Sequence, residues 1–146
     1  MRRVLLAIGA IAVLSVPVIA SAAGNRHVQF TTKVSGAGIS ATQATYKVHD
    51  SHFGDGAGVQ TVTVKGSGGT DSEITYYGNA VARSKGTFKI GTPDANGVAS
   101  LTGSGQDVSG TGKAKGLKST YTYSGSYNTK TSVFNVTLRG TYTLGR

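Results

Sequence analysis

Side chains able to ligate a metal or move a proton gather at one place in the chain, His49-Asp50-Ser51-His52 with Asp55. Imidazole and carboxylate together can hold a divalent metal, and a neutral imidazole beside an aspartate can shuttle a proton. In an extended segment, however, His49 and His52 point to opposite sides. The following Gly54-Asp55-Gly56-Ala57-Gly58 has the composition of a flexible loop. Ser51 completes the residue types of a hydrolase triad, but adjacency does not give triad geometry. The cluster reads as a solvated loop. A second candidate, Ser109-Gly110-Thr111-Gly112-Lys113, evokes a phosphate loop. The motif G-x-x-x-x-G-K-[ST] needs glycine where Asp107 stands and a hydroxyl where Ala114 stands, and no helix pattern follows to hold an anion. Its glycines read as turn residues.

Lys113, Lys115 and Lys118 form a basic run beside that turn. No aromatic platform for bases accompanies them, so nucleic acid is not an expected partner; beyond solubility, an acidic envelope polymer is. The tyrosines offer more. If Tyr46, Tyr76, Tyr121 and Tyr123 face one interior with Phe134, their rings line an apolar cavity and their hydroxyls supply a few polar contacts. These five are the candidate ligand-binding residues, and a hollow of roughly 300 Å3 or more would suit a drug-sized ligand. The competing expectation is an interior filled by side chains. No catalytic residue, metal site or cofactor is expected.

The elements that must position these rings are strands. Phe134, Val136, Leu138 and Tyr142 alternate with Asn135, Thr137, Arg139 and Thr141, the period of a half-buried strand. Tyr121, Tyr123 and Tyr127 alternate in the same way with threonine and serine, and Asn128-Thr129-Lys130-Thr131 suits a hairpin between the two. Weaker alternation around Tyr46, Val62 and Phe88, with His27–Val34, Glu73–Tyr77 and Val98–Gly103, predicts eight strands. No window supports an amphipathic helix. One apolar face per strand suits a closed antiparallel barrel or a two-sheet sandwich. Closure is favoured because it removes exposed edges.

Residues 1–22 carry the marks of a secretory signal peptide: Arg2-Arg3, an apolar run from Val4 to Leu14, and Ala20-Ser21-Ala22 before the cleavage point. The expected mature domain is residues 23–146, secreted or periplasmic, with no stable membrane anchor after cleavage. An outer-membrane barrel is disfavoured, because no lipid-facing aromatic girdle is visible. The chain has no cysteine and 22 glycines among 146 residues. Disulfides and thiol chemistry are therefore excluded, and packing with backbone hydrogen bonding must hold the domain.

The stretch Leu101–Gly116, LTGSGQDVSGTGKAKG, resembles the signature of the allene oxide cyclase and dirigent barrel superfamily. The matching positions are Gly103, Gly105, Gly110, Thr111, Gly112 and Gly116, with supporting layout across residues 84–142. Ser109, Ala114 and Lys118 stand where that pattern has glycine, an aromatic and glycine. The resemblance implies an all-β, calycin-like, eight-stranded antiparallel barrel; it does not transfer a substrate. The expected function is non-enzymatic binding of a small apolar ligand or an envelope component. The alternatives are a cofactor-free cyclase- or dirigent-type enzyme and an oligomeric structural barrel with a filled interior.

Overall fold

The computed structural model describes residues 26–144; the expected signal segment lies outside them. Eight strands follow in order: β1 Arg26–Gly38, β2 Gln43–Asp50, β3 Gly54–Lys65, β4 Gly68–Tyr77, β5 Ala80–Ile90, β6 Val98–Gly112, β7 Lys118–Asn128 and β8 Val133–Leu144. Each pairs antiparallel with its neighbours, and β1 closes on β8, giving an up-and-down barrel. No helix occurs among the described residues.

Alternation sets which side chains enter. On β8, Phe134 and Tyr142 are buried and Arg139 is exposed; on β7, Tyr121 is buried and its neighbours Thr120 and Thr122 are exposed. Two expectations need correction. Gly54–Gly58 is the first half of β3 rather than a flexible loop, paired residue by residue with His49 and Asp50 of β2 and their neighbours. Of the adjacent tyrosines on β4, Tyr77 turns inward and is buried, while Tyr76 lies outside and is 53% exposed. Period-2 geometry allows only one of the two inside.

The glycine excess has a packing cause. Interior rings rest against glycines on neighbouring strands. A Cβ on Gly105 would stand 2.6 Å from Tyr121, one on Gly56 2.8 Å from Tyr77, and one on Gly36 2.5 Å from Phe134. At Gly58 a Cβ would enter the Tyr46 ring itself. A barrel of eight strands has room for this many rings only where facing positions lack side chains.

One extra residue in β6 switches the inward phase of the strand from odd-numbered positions, ending at Asp107, to the even-numbered Gly110. The register with β5 shifts between Arg83 and Ser84, leaving Val108 unopposed as a bulge. The strand then reaches Gly112, whose φ of +60° suits a residue without Cβ. The turn after it folds Ala114 and Leu117 across one end of the barrel, 0% and 2% exposed. Gly110 serves the same turn through space rather than dihedral freedom, because a Cβ there would collide with Ala114.

Candidate functional site

The two ends of the barrel differ. At the closed end, Phe30 stacks on Tyr142 with centroids 3.9 Å apart. Phe53, from the β2–β3 turn, packs against Tyr77 at 5.2 Å and edge-on to Tyr142 at 5.4 Å. Asp50, 1% exposed, sits among these rings. Its carboxylate accepts from the Tyr142 hydroxyl at 2.7 Å, from the Thr32 hydroxyl, and from the N–H groups of His52 and Phe53 at 2.8 and 2.9 Å. Four donors meet four acceptor positions, so this carboxylate fastens the turn to the core. The histidine cluster therefore divides. Asp50 is structural, while His49 pairs with Asp55 at 2.6 Å with both side chains largely exposed. Among the described residues no three metal-ligating side chains come together.

The other end is hollow. A cavity of about 160 Å3 runs inward from Ser40, Gln43 and Ser132 at the mouth to Tyr121 and Glu73. Aliphatic groups such as Val34, Val62, Leu101 and Leu138 and the rings of Phe88, Tyr123, Tyr127 and Phe134 form its wall. This volume is below the roughly 300 Å3 expected for a drug-sized ligand. It matches a single ring, since an apolar cavity of about 150 Å3 is known to accept benzene. Ile39, Val64, Val98 and Val133, at the strand ends surrounding the mouth, are exposed. Beneath the main cavity a second void of about 30 Å3 lies between Tyr46, Thr75, Ser84 and Asp107.

Of the five candidate binding residues, Tyr121, Tyr123 and Phe134 line the main cavity. Tyr46 belongs to the lower void, its hydroxyl 2.7 Å from that of Thr75. Tyr76 is on the outer surface.

Besides Asp50, three further carboxyl groups enter the interior, Asp71, Glu73 and Asp107, none of them singled out from sequence. Glu73 accepts from Gln60 at 2.9 Å and from Ser84 at 3.4 Å. Burial, reinforced by Asp71 and Asp107, pushes its pKa up to about 8. Asp71 is pushed up to about 6 by burial, opposed by the Tyr123 hydroxyl 3.4 Å away. Burial also raises Asp107, which accepts from Ser119 at 2.5 Å. Desolvation in the same interior pushes the Tyr46, Tyr121 and Tyr123 hydroxyls well above the usual phenol range, so they stay neutral. Strand parity carried the missed signal: Asp71 and Glu73 share the phase of Thr75 and Tyr77, and Asp107 that of Leu101, Gly103 and Gly105.

No family model, curated protein or solved structure matches the chain. Its chemistry is therefore read from its own side chains.

Proposed function

We propose that this is an exported, non-enzymatic barrel that binds a small, largely apolar molecule through its open end. The observation that carries the reading is the cavity of about 160 Å3, apolar along its wall and ending on a carboxyl group. Enclosed apolar space with a few polar anchors is the usual form of a small-molecule site, and the exposed apolar residues at the mouth give such a ligand a dry approach. Kinship with allene oxide cyclase and dirigent barrels is part of the proposal. It is supported by the closed up-and-down order and the glycine-marked corner between β6 and β7. The exposed Lys113, Lys115 and Lys118 around the closing turn leave an acidic envelope polymer as a partner for the opposite end.

Fluorine NMR with fluorobenzene tests the cavity: saturable binding is expected, and Val136→Phe, which puts a ring into the space, should abolish it. Binding unaffected by Val136→Phe, or none at millimolar probe, overturns the reading. A second reading, a cofactor-free enzyme, is favoured by one feature. Glu73 keeps its proton at neutral pH and could deliver it to a substrate on the cavity floor. Recovery of a copurified compound in altered form after incubation would favour catalysis; recovery unchanged would favour binding.

A further inference from the structure

Charge is sorted radially in this barrel. Every lysine and arginine among the described residues is exposed, whereas Asp50, Asp71 and Asp107 are buried or half-buried inside with Glu73. Among these acids Glu73 alone reaches the main cavity, where five aromatic rings share the wall with it. Ring faces attract cations, the more so when water is excluded. We propose that the ligand of this cavity is a compact organic cation, a primary amine on a single-ring body, with its ammonium on Glu73 and its ring among Tyr121, Tyr123, Tyr127 and Phe134.

The proposal rests on the cavity being a binding site and names what it selects. An anion there would meet carboxyl groups and the negative faces of the rings. A neutral ring would fill the space without using the carboxyl. Glu73 has two donors, Gln60 and Ser84, for about four acceptor positions, and the remainder can take ammonium N–H bonds. Asp50 has no such vacancy. The titratable groups around Glu73 are Asp71 and Tyr77 on its own strand, Asp107 on β6, Tyr46 on β2 and Tyr121 on β7, with Tyr123 beyond Asp71; none can carry a positive charge. A bound ammonium would supply the interior's missing positive charge. Docking proceeds with a defined proton balance: the protonated Glu73 gives its proton to solvent, and the resulting carboxylate pairs with the ammonium. Amine binding therefore releases close to one proton at neutral pH and fewer as pH rises past 8.

The test is calorimetric titration of the whole folded protein with benzylamine, benzyl alcohol and toluene at pH 7, repeated in buffers of different ionisation heat. Benzylamine is expected to bind at least about tenfold more tightly than the alcohol, with buffer-dependent heat reporting proton release. Glu73→Gln keeps the shape and should weaken the amine about tenfold, leaving the alcohol within about twofold. Alcohol or toluene binding as well as the amine, or amine binding indifferent to Glu73→Gln, overturns the cation while leaving the cavity reading intact. No saturable binding by any of the three overturns both.

Discussion

The closed and open ends of the barrel are built by the same alternation along the same strands, yet one is solid and the other hollow. At the closed end large rings pack directly on one another, Phe30 on Tyr142 and Phe53 on Tyr77, and the turn bearing the buried Ala114 and Leu117 joins the same cluster. At the open end much of the wall is valine and leucine, too short to fill the middle, and the turn residues Ser40, Ala41 and Ser132 border the cavity rather than fill it. The carboxyl groups differ in the same sense. Asp50 receives four hydrogen bonds from within the fold, whereas Glu73 receives two and borders free space. A buried carboxyl whose acceptors are all taken is a fastening; one with acceptors to spare beside a cavity is available to a visitor.

This contrast can be broken most forcefully at Asp50. Asp50→Ala strands the Tyr142 and Thr32 hydroxyls and two backbone N–H groups in the core, with an expected cost of about 3–5 kcal/mol in urea denaturation. A loss under about 1 kcal/mol would show that the closed end does not depend on this anchor. Phe30→Ala should fall at the upper end of the roughly 3–5 kcal/mol span for core phenylalanines, and Phe134→Ala at its lower end, because Phe134 already borders a void. Equal losses would remove the distinction between the two ends. The glycine contacts sharpen it further. Gly58→Ala drives a methyl into Tyr46, whose hydroxyl is tied to Thr75, and should cost about 2–3 kcal/mol. Gly105→Ala presses on Tyr121, which can yield toward the cavity, and should cost about 1 kcal/mol while shrinking the space for a probe.

A further effect, spread over a wide range rather than tied to one contact, concerns pH. Folding raises Glu73 from an ordinary 4.5 to about 8 and Asp71 from 3.8 to about 6, so in both cases the folded state holds the proton more tightly. The stability this gives is complete at about pH 4 and is lost progressively as pH climbs through 6 and then 8. Scanning calorimetry should show Tm falling by about 5 °C or more between pH 5 and 8. Glu73→Gln should flatten the upper part of that decline and leave the part belonging to Asp71. A Tm indifferent to pH in the parent would mean that these carboxyls stay solvated.

Most of the barrel could be read from the sequence because period-2 alternation in β7 and β8 states which side chains enter, and the turns between strands carry glycine, asparagine and proline. The expected alternation of Phe134, Val136, Leu138 and Tyr142 against Arg139 matches the observed faces. The site was only partly readable. Tyr76 and Tyr77 adjoin, and composition does not say which enters. Gly54–Gly58 looks like a loop because glycine has low strand propensity, but Gly56 and Gly58 lie under the rings of Tyr77 and Tyr46 and the whole segment is held by cross-strand pairing. Acidic residues ordinarily mark solvent, which concealed Asp71, Glu73 and Asp107 despite their interior phase. Cavity volume depends on how eight strands set side chains opposite one another, a relation between distant positions that no local pattern contains.

The ring is completed by β1 against β8, with twelve facing residue pairs that include Arg26 with Leu144 and Ala37 with Val133. These partners lie about as far apart along the chain as the domain permits; the side-chain bond between Thr143 and His27 spans 116 positions. Every other seam joins consecutive strands and can form soon after they are synthesised, but this one must wait for the last segment. The seam makes folding a late, all-or-none event, in the milliseconds-to-seconds range typical of sheets with non-local contacts. Until then the first strand keeps an unpaired edge, a row of free backbone N–H and C=O groups open to pairing with another chain.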